Sequence, residues 1–79
     1  MARVLLFGRL SDVAGWRDRQ VDSPFLSALR GKLSAEDAAL GEALAGPGVQ
    51  VAVDQVIVRG DTALNPAAEV AFLPPMSGG

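Results

Sequence analysis

The chain has 79 residues, no cysteine and no histidine, and its seven basic and nine acidic side chains give a net charge of −2. A chain of this size makes one domain with a marginal core, and without Cys or His it has no disulfide, no usual zinc site, no thiol nucleophile and no histidine base. With one Trp, three Phe and no basic cluster, nucleic-acid binding is disfavoured.

The N-terminal part predicts a strand, a helical turn and a second strand. Residues 3–8 form a short apolar run closed by a glycine, which is typical of a strand buried on both faces. Ser11 is predicted to cap one helical turn that ends at Gly15, and residues 16–22 are predicted to form an edge strand guarded by charges. The apolar run is too short to span a membrane, and it lacks the features of a signal peptide. We therefore expect a cytoplasmic protein.

Two helices are predicted in the middle of the chain. Ser23 and Pro24 are a strong helix start, and Ser34 is predicted to end that helix. Together with Asp37, Ser34 then forms a weak capping box for a second, shorter helix, which ends at residues 46–48. The apolar face of the first helix is predicted to contain Phe25, Leu26, Leu29 and Leu33.

The C-terminal part predicts a hairpin and a last strand. Residues 49–53 and 56–59 are rich in β-branched side chains, and they are joined at residues 54–55 by a turn that lacks the usual glycine. Leu64 is predicted to reach the core between two turns. Residues 69–73 are predicted to form the last strand, with Val70 and Phe72 on one face, and this strand runs directly into Pro74.

The order of elements predicts an α+β domain over residues 1–79, with helices packed on one face of a sheet. We find no repeat, linker or domain boundary. A hydrophobic content of 49% is high for so small a domain, so the uncovered face is expected to meet another protein. The last strand and the tail are the natural place for that partner.

The C-terminal tail, residues 74–79, has the sequence Pro-Pro-Met-Ser-Gly-Gly. The prolines make a stiff lead, and an extended chain after Pro75 would carry the terminal carboxylate on the order of 13 Å away. Glycine leaves the Gly79 carboxyl carbon open to attack, which suits a group presented as a substrate. The chain has no phosphate-binding loop or general base, so both activation and use of this carboxylate are expected on other proteins.

Simpler interpretations remain open at this point. A small interaction domain with an accidental diglycine is one of them. Phe7 and Phe72 can each be a core residue or a partner contact, and periodicity does not choose between the two. The single lysine, Lys32, is best explained as a solvated charge.

Three segments resemble the small subunit of molybdopterin synthase, the MoaD family: residues 4–10 with Gly15, residues 51–55, and residues 69–79 with the diproline before the diglycine. The resemblance covers essentially the whole chain. It implies a ubiquitin-like β-grasp fold, with a mixed sheet in which the first and last strands lie side by side in the middle. The chain differs from many members of the family at Asp54, where they have asparagine, and at residues 67–68, where they have Gly-Asp.

The resemblance also implies a reaction cycle. An E1-like enzyme uses ATP to adenylate Gly79, and a sulfur donor protein converts the adenylate to a thiocarboxylate. The large synthase subunit then receives the tail, within a heterotetramer, and the sulfur passes to the cyclic pyranopterin precursor of molybdenum cofactor. The chain itself would bind no cofactor, metal, nucleic acid or membrane, and it would donate sulfur without being the catalyst.

The resemblance makes Gly79 the covalently modified residue and places the partner contacts around it. These contacts are Phe7, Phe72, Leu73, Pro74, Pro75, Met76, Ser77 and Gly78. Two other functions stay open on the sequence. One is a protein modifier joined through Gly79 to lysines of its targets, and the other is a sulfur carrier for thiamine, cysteine or thiolated tRNA synthesis.

Overall fold

A computed structural model gives the fold of residues 1–75, the part of the chain that the structure describes. Within these residues there are five strands and three helices. The strands are β1 (Ala2–Leu6), β2 (Asp18–Val21), β3 (Gln50–Val53), β4 (Val56–Val58) and β5 (Glu69–Leu73). The helices are α1 (Arg9–Ala14), α2 (Leu26–Glu36) and α3 (Ala38–Leu44). No helix in this part of the chain has the length and apolar character needed to cross a membrane.

The strands form one mixed sheet in the order β2-β1-β5-β3-β4. The first and last strands, β1 and β5, are parallel, whereas the other neighbouring pairs are antiparallel. The last strand therefore lies in the middle of the sheet. This arrangement confirms the expected mixed sheet with its first and last strands adjacent.

The core lies between the helices and one face of the sheet. Val4 of β1 and Val70 of β5 are fully buried there, and they are register partners. Among residues 1–75, no helix lies on the opposite face, called the open face below: Arg3 is exposed and Leu5 is only half-buried. The prediction that the first strand is buried on both faces was therefore wrong, because the helices cover a single face.

Helix α2 begins later than the sequence predicts. Ser23 does not cap it; its hydroxyl donates instead to the Phe25 carbonyl oxygen. The cap comes from Asp61, whose carboxylate accepts from the Ser27 N–H at 2.8 Å and from the Ser27 hydroxyl at 2.8 Å. These hydrogen bonds, with the backbone one first, hold the pKa of Asp61 below its usual range. Phe25 precedes the helix and is exposed, so it is not part of the apolar face.

Helix α2 also ends later than predicted. It continues through Ser34 to Glu36, so Ser34 neither ends it nor starts the next helix. Asp37 caps α3 in its place, because its carboxylate accepts from the Leu40 N–H at 3.1 Å. In α1 the predicted cap was similarly displaced: Ser11 lies inside the helix, and its hydroxyl donates to the Gly8 carbonyl oxygen at 2.7 Å.

The predicted hairpin is confirmed as β3 and β4 joined by Asp54 and Gln55. Both turn residues have positive φ, 50° and 70°, a conformation that usually calls for glycine or asparagine. Asp54 is held there by the start of β5: its N–H donates to the Glu69 carbonyl oxygen at 2.8 Å, and its carboxylate accepts from the Glu69 N–H at 2.9 Å. Long-range hydrogen bonds thus stabilise a turn that lacks glycine.

The distant cap on α2 predicts a pH-dependent contribution to stability. Asp61→Ala removes the acceptor, so we expect a lower urea midpoint than that of the native chain at pH 7. The pKa of Asp61 is lowered in the folded chain, so its contribution is complete above the ordinary aspartate pKa of about 3.9 and is lost as the pH falls through the lower folded value. The difference between the two midpoints should shrink across that acidic window. The control is Asp22→Ala, which changes an exposed aspartate that caps no helix in residues 1–75. If both variants lowered the urea midpoint equally and independently of pH, the cap by Asp61 would be contradicted.

Candidate functional site

The topology of the sheet determines what surrounds the start of the C-terminal tail. Strand β5 ends at Leu73, and Pro74 and Pro75 follow at once. Because β1 is parallel to β5, the loop after β1 lies at this end of the sheet. Because β3 is antiparallel to β5, the loop before β3 lies there too. Gly8 and Gly48 belong to these two loops, so they flank the prolines on opposite sides.

Both glycines lie against the prolines. A Cβ atom built on Gly8 would lie 3.1 Å from Cγ of Pro74, and one built on Gly48 would lie 2.7 Å from Cβ of Pro75. Both glycines also have positive φ, 57° and 81°, which side chains disfavour. We call these four residues, Gly8, Gly48, Pro74 and Pro75, the tail notch.

The sequence identified only half of the tail notch. Pro74 and Pro75 were predicted as the lead of the tail, and the structure places Pro74 half-buried and Pro75 exposed at the domain surface. Gly8 was predicted to close a strand and to serve a turn or close packing, and Gly48 was predicted to end a helix; neither was predicted to contact the prolines. Their contact with the prolines depends on which strands neighbour β5, and no local pattern carries that information.

Phe7 and Leu73 lie beside the tail notch. They follow the register pair formed by Leu6 and Phe72, each one residue further along its own chain segment. Phe7 is 44% exposed, which is high for so large an apolar side chain, and Leu73 is half-buried. Both are available at the surface, and their contact with a partner stays a prediction.

Phe72 is a core residue, which corrects its assignment as a partner contact. It is 0% exposed, because it shares with Val70 the face of β5 that the helices cover. The Arg30 guanidinium carbon lies 5.3 Å from the centre of its ring, and this places a cation–π contact over the ring. The core interpretation that the sequence left open is therefore the one observed.

The open face of the sheet divides into a charged and an apolar part. At the start of β5, an Arg3 nitrogen lies 2.7 Å from the Asp18 carboxylate and another lies 3.9 Å from that of Glu69. Hydrogen bonds from Arg3 lower the pKa of Asp18. The next row toward the tail begins at the charged Asp18 on the edge strand β2 and is apolar across the other four strands: Leu5, Ala71, Ala52 and Ile57. Ile57 is 44% exposed, so the apolar part lies on the tail side.

The described residues were also searched for a metal site. Residues 1–75 contain no group of three or more acidic side chains placed to hold a metal ion. The remaining predicted site residues, Met76, Ser77, Gly78 and Gly79, lie outside the described residues. The assignment of Gly79 as the modified group thus stays a prediction, whereas the start of its tail is defined.

Comparisons with known proteins agree with this geometry. Residues 4–79 match the ThiS family. The chain is 35% identical over 81 residues to the molybdopterin synthase sulfur carrier subunit of Escherichia coli (strain K12), and the match covers 100% of both chains.

Two solved structures show the same fold. The crystal structure of SAMP1 from Haloferax volcanii has a TM-score of 0.85 at 25% identity, over 99% of this chain and 98% of that one. The solution structure of small archaeal modifier protein 1 (SAMP1) from Methanosarcina acetivorans has a TM-score of 0.86 at 20% identity, over 99% and 95%. These likenesses confirm the predicted ubiquitin-like β-grasp fold.

The burial of Phe72 predicts a large effect on stability. Phe72→Ala should lower the free energy of unfolding by about 3–5 kcal/mol, because it leaves a cavity in the core. Leu73→Ala, on the open face, should cost about 1 kcal/mol, because its side chain is only partly removed from water. Urea unfolding of both variants measures the difference. Equal losses would contradict the opposite placement of these neighbours.

Proposed function

The chain belongs to the ThiS family, and we propose that it is the sulfur-carrier small subunit of a molybdopterin synthase. The full-length 35% identity with the E. coli subunit of that name carries the proposal. The terminal Gly78 and Gly79 supply the group on which sulfur would be held. The chain has no cysteine, so the sulfur would be held as a thiocarboxylate rather than as a persulfide of this protein.

The proposed chemistry takes place on the carboxylate of Gly79. An E1-like enzyme lets this carboxylate attack the α-phosphate of ATP, which releases pyrophosphate and leaves an acyl adenylate. A sulfur donor protein then supplies sulfur at the oxidation state of sulfide. This sulfur attacks the acyl carbon, the bond from that carbon to the AMP oxygen breaks, and AMP leaves as the thiocarboxylate forms. In the large subunit the sulfur passes to the cyclic pyranopterin precursor, and water restores the carboxylate. Two small subunits, each of which carries a thiocarboxylate, supply the two dithiolene sulfurs of molybdopterin.

The fold supports a carrier role in two ways. The tail begins at the end of the central strand, so its base is held by neighbours on both sides. The exposed Phe7 and the apolar part of the open face lie next to that base. A large subunit that receives the tail would cover this surface, which is the apolar kind that partners bury.

A second candidate is a protein modifier, and the likeness to SAMP1 of Haloferax volcanii favours it. In that case Gly79 would form an isopeptide bond with lysines of target proteins. Membership of the ThiS family is also compatible with sulfur delivery to another pathway, such as thiamine synthesis. Loss of molybdoenzyme activity alone, in cells that lack this chain, would favour the molybdopterin synthase assignment.

The proposal predicts an exchange of one oxygen for sulfur at the C-terminus. Purified chain is incubated with the activating enzyme, ATP and a sulfur donor, and then digested with trypsin. The last tryptic peptide, residues 60–79, contains both Gly79 and Met76. Mass spectrometry should show sulfur in place of one terminal oxygen in this peptide, and no change in a chain that lacks Gly79.

Oxidation of Met76 gives nearly the same mass increment, so the same chain incubated without the sulfur donor is the matched control. Met76 is the only methionine of the peptide, and its oxidation does not need the donor, whereas the thiocarboxylate does. An increment that is equal with and without the donor would contradict the thiocarboxylate. Higher-mass conjugates in cell lysates, lost when Gly79 is deleted, would support the modifier instead.

The partner surface predicts a selective loss of binding. Phe7→Ala should weaken the complex with the large subunit about tenfold, because an exposed aromatic anchor is removed. Phe25 is a matched control: it is 49% exposed, and it follows Val21, which pairs with Ala2 at the opposite end of β1. Phe25→Ala should change the dissociation constant less than about twofold. Equal effects, measured by calorimetry, would move the interface away from the tail.

A further inference from the structure

The geometry points to a specific role for the tail notch. We infer that Gly8 and Gly48 are positioning residues, which set the direction in which the C-terminal tail leaves the domain. In this role they act through Pro74 and Pro75. The functional test of this inference rests on the proposed activation of Gly79.

Gly48 imposes the stronger constraint. A Cβ atom at this position would lie 2.7 Å from Cβ and 3.6 Å from Cα of Pro75. The optimal separation of two non-bonded carbon atoms is about 3.5–4.0 Å, so the contact with Cβ of Pro75 is a steric clash. The proline ring cannot turn away, because the ring fixes φ and contains the contacted atom. A side chain at residue 48 therefore displaces the backbone at Pro75. At Gly8 the atom met is Cγ of Pro74 at 3.1 Å, so a smaller shift is enough.

Gly15 is a control that distinguishes the effect of the contact with Pro75 from the effect of backbone strain at a positive φ. Its φ is 82°, nearly the 81° of Gly48, but a Cβ atom built on Gly15 meets nothing within 4 Å. Alanine at Gly15 thus carries only the cost of a positive φ. Alanine at Gly48 carries the same cost together with the displacement of Pro75. The difference between the two variants isolates the positioning role.

Direction is important because the tail must deliver a carboxylate to a reaction centre. The residues after Pro75 span on the order of 13 Å when extended, so a small change of angle at the base is enlarged at the terminus. A misplacement of about 1 Å in a reacting group can cost on the order of a hundredfold in rate. A tail notch without side chains keeps the base of the tail in one place.

The test uses the complete chain with its activating enzyme. Gly48→Ala and Gly15→Ala are each made in the native background and in a Pro75→Gly background, which removes the ring that residue 48 would meet. ATP–pyrophosphate exchange gives kcat/KM for the chain as substrate, and urea unfolding gives the stability of each variant. We expect both alanine variants to lose stability because of the positive φ, and Gly48→Ala to lose more in the native background because it also displaces Pro75.

Activation should separate the two variants. Gly48→Ala should lower kcat/KM about tenfold in the native background and less than about twofold in the Pro75→Gly background. Gly15→Ala should change it less than about twofold in either. The inference is overturned if Gly48→Ala has no effect, or if its effect is the same with and without the proline ring.

A readout that needs no enzyme separates this inference from the proposed function. In amide NMR spectra, Gly48→Ala should shift the Met76 resonance in the native background, and much less in the Pro75→Gly background. Gly15→Ala should leave that resonance in place. An unchanged Met76 resonance in Gly48→Ala would overturn the positioning role. A native chain that the enzyme does not activate would contradict the proposed function and leave this measurement valid.

Discussion

The parallel pairing of β1 with β5 is the interaction on which the rest of the structure depends. It joins the two ends of the chain through register partners such as Val4 and Val70, both fully buried. It also makes the last strand the central one, so the tail emerges between neighbours rather than from an edge. The helices cover the face where these side chains meet, and the opposite face remains open.

In the proposed function, the folded domain supports the tail and the reaction takes place elsewhere, at the end of the tail. The described residues contribute a core, an apolar surface beside the tail and a fixed base for the tail, whereas the proposed reaction takes place on a terminal carboxylate. A carrier of this kind needs enzymes that activate and consume its terminus, and it needs to present that terminus reproducibly. We infer that the glycines of the tail notch make this presentation reproducible, because any side chain at Gly48 would meet Pro75.

Local sequence signals were reliable where the physics is local. Alternation along β5 predicted its bounds and the sharing of one face by Val70 and Phe72, because side chains of a strand alternate every residue. The caps were less predictable. Ser23 has the right chemistry to cap α2, but Asp61 from a distant loop takes that position, because the bridge between Phe25 and Ala63 brings the two segments together.

The sequence by itself determined the class of fold, the bounds of the last strand and the diproline that follows it, together with a resemblance that covers the whole chain. Only the tertiary structure decided that Phe72 is in the core, that Asp61 caps α2, and that the tail begins between Gly8 and Gly48. The reason is the range of the interactions. Strand period, turn chemistry and a terminal motif are properties of neighbouring residues, whereas burial and contact depend on which strands pair across the sheet.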